Sequence, residues 1–175
     1  MTTAYSCDQK ISKSSAIAEA LGSLDEINSF LGLVKAESKN VKWKAPGSAL
    51  RLDVLVHSIQ ETLFIVQAEV AGFLRPFPEG KVKKMEKIID AIEKILPPIK
   101  TFFISGGTKL AALFDVARTI ARRAERRIVE VAEKKSTKIS PETFAVMNRL
   151  SSLLYALARL SAYKSGINEK SPSYK

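Results

Sequence analysis

Between Leu110 and Val131 apolar residues recur every three or four positions: Leu110, Leu113, Phe114, Ala117, Ala121, Ala124, Ile128 and Val131. That spacing marks one buried face of a long helix. The same stretch holds five arginines between Arg118 and Arg127. Arg118, Arg122 and Arg126 fall four residues apart on a second face, with Glu125 beside them. Like charges one turn apart repel, so helix stability alone does not select this stripe. Its placement calls for an anion, either a carboxylate from another helix or a phosphate-rich ligand.

Four further segments repeat the helical spacing. The first runs from about Ser14 to Lys35, with Ile17, Leu21, Leu24, Ile27, Leu31 and Val34 on one face. A second starts near Ser48, read as its N-cap, and carries Leu52, Leu55, Ile59, Leu63, Val66 and Val70. The third spans Lys81–Leu96 and stops at Pro97-Pro98. The arginine helix opens after Gly106-Gly107, and the fifth helix starts at Ser140-Pro141, an N-cap followed by proline. Pro46-Gly47 and Arg75-Pro76-Phe77-Pro78 read as loops. No β-alternation of useful length appears, and Thr101–Ile104 is the one strand-like candidate. The pattern predicts an all-α, five-helix up-down bundle, one domain over residues 1–175, with about 12 N-terminal and about ten C-terminal residues flexible.

Composition narrows the function classes. Hydrophobic residues make up 46% of the 175-residue chain, enough for a full core. No apolar run approaches the ~20 residues that span a bilayer, and the first ten residues lack an apolar signal core. The single cysteine, Cys7, excludes an internal disulfide and fits a cytoplasmic protein. His57 is the only histidine and lies among Val54, Leu55, Val56 and Ile59, so it reads as a plain helix residue. Phosphate-loop, dinucleotide and zinc signatures are absent. An enzyme built from this inventory works by electrostatics and positioning.

The net charge is +10, and Lys109–Lys138 holds nine Lys/Arg against four Asp/Glu. Such a stripe suits a nucleotide, a nucleic acid or another polyanion; the plain alternative is a solvated face. Ser105-Gly106-Gly107-Thr108 is either a phosphate cradle at a helix N-terminus or an ordinary N-cap turn. Asp25, one residue past Leu24, either points inward toward an arginine of the fourth helix or is solvated. Asn148, Ser152, Tyr155 and Arg159 form a polar stripe on the fifth helix, which opposite Arg118, Arg122 and Arg126 makes a wet cleft. On the residues alone Phe102 is a core aromatic.

Taken in order, these pieces resemble the PduO-type ATP:cob(I)alamin adenosyltransferases. Lys13, Ala20, Gly22 and Asp25-Glu26-Ile27-Asn28 match a pattern like K-x6-A-x-G-x2-DE-[LI]-N. Phe102–Thr108 matches F-[IV]-L-P-G-G-T with Ser105 in place of proline. Ala117-Arg118 followed by Arg122–Arg126 matches AR-x3-RRAER, and Asn148–Tyr155 matches NRLSD-x-LF with Ser152 in place of aspartate and Tyr155 in place of phenylalanine. The family's opening loop, Y-T-[RK]-T-G-D-x-G-x-T, has no match before Lys13. The resemblance covers about residues 10 to 165, and the RRAER and NRLS segments carry its specificity.

The resemblance implies a trimer with its site between subunits. It also implies transfer of the 5′-deoxyadenosyl group of ATP to the cobalt of reduced cobalamin, with Mg²⁺ accompanying the nucleotide. It places Lys13, Arg122, Glu125 and Asn148 on ATP. Arg118 pairs with Asp25 at the subunit interface on the corrinoid side, and Phe102 packs under the corrin. Arg118, Arg122 and Phe102 are then the catalytic set. The other class is a basic helical nucleotide- or nucleic-acid-binding protein without turnover.

Overall fold

The computed structural model describes residues 2–6, 9–39, 41–45, 48–73 and 77–174. Cys7, Pro46-Gly47 and Arg75-Pro76 lie outside the described residues. Five helices carry the fold: α1 (Ala16–Glu37), α2 (Leu52–Val70), α3 (Lys81–Glu93), α4 (Lys109–Glu133) and α5 (Pro141–Lys164). They pack in the order α2, α1, α4, α5, α3, so α4 sits at the centre between α1 and α5.

Local chemistry sets most helix starts. Ser15, Thr108 and Ser140 each accept a backbone N–H three residues on, from Ala18, Ala111 and Thr143, which satisfies one of the free donors of the first turn. Pro141 needs no donor there. Two boundaries differ from the sequence reading. Ser48 is not at the cap position: Ser48–Arg51 is a strand, and α2 begins at Leu52 with Arg51 before it. The third helix ends at Glu93, and Lys94–Leu96 close it with a turn in which Leu96 N–H reaches Ile92 O.

Two short hairpins, absent from the sequence reading, flank α1. β1 (Thr2–Ser6) pairs antiparallel with β2 (Gln9–Ser12), and β3 (Lys42–Ala45) with β4 (Ser48–Arg51). Strands of four or five residues are too short for alternation to register. Trp43 of the second hairpin reaches the core. The first 12 residues, expected to be flexible, contain the first hairpin.

The core is one contiguous cluster. Leu24, Ile27 and Leu31 of α1, Ile59 and Leu63 of α2, Phe114 and Ile128 of α4, and Met147, Leu150 and Leu154 of α5 are fully buried in it. Three charge pairs run along the antiparallel α1–α4 seam: Glu19–Arg127 at 3.7 Å, Glu26–Arg123, and Glu37–Lys109 at 2.8 Å. Being exposed, each contributes little to stability, but together they fix which α4 arginines are left for other work.

At the opposite end a buried carboxylate ties α2 to α5. Glu69 accepts from Ser140 N at 2.8 Å, from Ser140 Oγ at 3.1 Å and from the Thr143 hydroxyl. The charge sits at the positive end of α5. Glu69→Ala is expected to lower stability by about 2–3 kcal/mol, the loss of charge-assisted bonds with their donors left buried. Chemical denaturation measures it, and a loss below about 0.5 kcal/mol, the scale of a solvated surface change, contradicts the clamp.

Candidate active site

The phase of α4 decides the site. Ala117, Ala121 and Ala124 are fully buried against neighbouring helices. Arg123 and Arg127 lie on the side facing α1 and pair with its acids. Arg118 and Arg122 lie on the other side, toward α5, and line a cleft of about 1020 Å³. Ser152 and Tyr155 of α5 form its second wall, residues 99–107 its mouth, and Ile167–Lys170 its outer edge.

Arg118 is held firmly. Its Nε approaches Asp115 Oδ1 at 3.6 Å, and its guanidinium lies 5.8 Å from the Tyr155 ring centre. Among the described residues the buried Nε atom has no hydrogen-bond partner, while the side chain lines the cleft. Burial pushes the Tyr155 phenol above its ordinary value; the Arg159 and Arg118 charges oppose that shift. The hydroxyl is therefore a neutral donor at physiological pH. Along α4 and α5, Asn148 Nδ2 donates to Glu125 Oε1 at 3.3 Å.

The mouth is shaped by glycine and by the tail. Gly106 has φ of +103°, a conformation side chains resist. A Cβ on Gly107 would meet Ile167 Cγ2 at 3.1 Å, so the tail rests against that backbone. The Gly-Gly pair thus serves the turn before the Thr108 cap and the close approach of the tail. Phe102 is 78% exposed at this mouth.

The relatives of this chain decide its family. The cobalamin adenosyltransferase family model matches residues 1–161. The corrinoid adenosyltransferase of Bacillus subtilis (strain 168) is 38% identical over 162 residues, covering 90% of this chain and 80% of that protein. This chain belongs to the cobalamin adenosyltransferase family. Corrinoid adenosyltransferase PduO of Citrobacter freundii is 37% identical over 167 residues, and there the chain spans 46% of the relative's length. A Phe-to-His variant of the PduO-type ATP:corrinoid adenosyltransferase of Lactobacillus reuteri, complexed with cobalamin and ATP, superposes with a TM-score of 0.85. It is 27% identical and the match covers 98% of this chain and 91% of that one.

Within this family member, the expected site residues separate into groups. Arg118, Arg122 and Phe102 meet at the cleft, and Glu125 and Asn148 meet each other beside it. Lys13 is exposed in the turn between β2 and α1, with no ion pair among the described residues. Asp25 does not point inward. Leu24, Ile27, Asn28 and Leu31 occupy the inner face of α1, and a residue about 100° past Leu24 turns to solvent. Within the protomer Arg118 pairs with Asp115, not Asp25. Arg159, expected as the wet end of the α5 stripe, is 5% exposed and satisfied by the protein itself. His57 is exposed near Glu61.

Sequence reasoning missed Asp115, Glu169 and the tail edge. Asp115 stands three residues before Arg118, a detectable i,i+3 signal; Glu169 has none. Because Phe102 is exposed, the core reading of it is replaced. Phe102→Ala is expected to cost under about 1 kcal/mol, whereas the buried Phe114→Ala should cost about 3–5 kcal/mol. Paired denaturation curves measure both, and equal losses would return Phe102 to the core.

Proposed function

We propose that this chain transfers the 5′-deoxyadenosyl group of ATP to the cobalt of reduced cobalamin, releasing triphosphate. The observation that carries the reading is the cleft, which joins a cationic wall, Arg118 and Arg122, to an exposed aromatic mouth at Phe102. One end suits polyphosphate, the other a large flat ring.

The chemistry demands little from side chains. The reduced corrinoid is the nucleophile; its cobalt electron pair forms the bond to C5′ while the C5′–O bond breaks and its pair leaves on triphosphate. No histidine or cysteine is required. The protein must align C5′ with cobalt and neutralise the departing charge. Arg122 suits the second task, since a guanidinium meets phosphate oxygens in a bidentate geometry. Glu125 and Asn148, already bonded to each other, offer an acceptor and a donor to the nucleotide, and Lys13 adds a cation. Phe102 excludes water and the lower ligand from the corrin face.

Mg²⁺ belongs with the nucleotide in this reading. The ion arrives on the triphosphate and keeps most of its waters. A trimer completes the site: exposed Asp25 meets Arg118 across the subunit boundary, adding to the contact with Asp115. No described helix is long and apolar enough to cross a membrane, and we place the chain in the cytoplasm. The nucleic-acid reading loses ground because Arg123 and Arg127 are committed to α1 and Arg118 is recessed, 29% exposed, in the cleft.

Incubation with ATP, Mg²⁺ and chemically reduced cobalamin should yield a light-sensitive adenosylated product. No product from a folded, nucleotide-binding protein contradicts the proposal. Arg122→Ala should weaken ATP by about 1.5–3 kcal/mol, one charge-assisted contact, and leave corrinoid affinity nearly unchanged. Sedimentation velocity should find a trimer, and a fully active monomer would rule out the intersubunit pair.

A further inference from the structure

Arg159 is a thoroughly engaged side chain, and adenosyl transfer as described makes no use of it. Its Nε donates to Glu169 Oε1 at 2.9 Å and Oε2 at 3.1 Å, and its Nη2 donates to Glu169 Oε2 at 2.9 Å and to Pro97 O at 3.0 Å. Its guanidinium also lies 5.3 Å from the centre of the Phe103 ring. One buried cation therefore joins three separate stretches of chain: α5, the linker from α3 to α4, and the tail.

The tail is delivered to it by a defined turn. After Lys164, Gly166 takes φ of +71°, Gly166 N–H bonds Tyr163 O, and Ile167 N–H bonds Ala162 O at 3.0 Å. This is the paired hydrogen-bond arrangement that reverses a chain at a helix end. The reversed tail then lies along the cleft mouth, where Ile167 covers Gly107 and Lys170 O accepts from Ile104 N at 2.8 Å.

Phe102 and Phe103 are treated oppositely. Phe103 is partly buried under Arg159, while Phe102 is 78% exposed over the cleft. Both rings border the cleft, and they stand on adjacent residues, so anchoring the Phe103 ring under Arg159 fixes the backbone from which Phe102 projects. Immediately beyond, the Ile104–Lys170 bond holds the same strand of backbone from the tail side.

We propose that Arg159 is a positioning residue for the ring-binding end of the cleft: with Glu169 it latches the tail and the Phe103 anchor, and so sets the placement of Phe102. The inference rests on the adenosyltransferase reading, since it assigns the mouth to the corrinoid. Arg159 stands in the cleft wall, only 5% exposed, with its guanidinium taken up by Glu169 and Pro97.

Two conservative variants test it. Arg159→Lys keeps the charge but loses the planar fork that grips Glu169 and Pro97 together. Glu169→Gln keeps the shape and removes the charge. Each is assayed for KM toward reduced cobalamin and toward ATP, with wild type in parallel, and the Ile104 amide is followed by hydrogen exchange.

The expected result is a rise of about tenfold in KM for cobalamin with KM for ATP within about twofold, since a misaimed contact penalises only the ligand it serves. Ile104 should exchange faster in both variants. Equal changes in both KM values, or wild-type cobalamin KM in folded variants, overturn the latch. A wild-type protein without turnover overturns the adenosyltransferase reading and this inference with it. An active wild type with unaltered variants overturns the latch alone.

Discussion

The rotational setting of α4 is the constraint on which the rest of the structure depends. Ala117, Ala121 and Ala124 are buried to the last atom, with Phe114 above and Ile128 below. Small residues admit close helix packing, and large ones at each end prevent rotation. Adjacent residues on a helix differ by about 100°. Turning α4 by one residue would therefore exchange Arg122, which faces the cleft, with Arg123, which faces Glu26 of α1. Apolar packing thus sorts four of the five nearly contiguous arginines into α1-paired and cleft-facing sets, and leaves Arg126 exposed outside both.

Much of this was legible in the sequence, for local reasons. The cap at Ser140-Pro141, the apolar faces of all five helices and the meeting of Arg118 with Arg122 at one cleft all follow from spacing within single elements. What escaped depends on partners distant in sequence or on elements too short to show a period. Ser48 carries every feature of a cap, yet pairing with Lys42–Ala45 claims it for a strand. Asp25 lies beside Leu24 on α1, and only the full occupancy of the inner face by Ile27, Asn28 and Leu31 shows that it must face out. Glu169 sits in a polar tail with no periodicity, and its role appears only once Arg159 is seen to be buried. Phe102 has the composition of a core residue, yet it is exposed while its neighbour Phe103 is partly buried under Arg159.

The site shows how little conventional catalytic chemistry a strong nucleophile needs. Among the described residues no histidine or cysteine lines the cleft. The side chains present carry fixed charge, a neutral phenol and an exposed ring. Arg118 is braced by Asp115 and stacked near Tyr155, so its charge is oriented before any ligand arrives. Preorganised charge of this kind stabilises developing anions without reorganisation during the reaction. The aromatic mouth and the tail complete the division between a polyphosphate end and a planar-ring end.

That division is the central claim, and a structure of this chain with ATP and cobalamin bound together tests it most directly. The account predicts triphosphate oxygens within hydrogen-bond distance of Arg122, the nucleotide against Asn148 and Glu125, and the corrin ring over Phe102 beside the tail. A corrin ring lying along the α1–α4 seam, or a nucleotide that avoids Arg122, would contradict it.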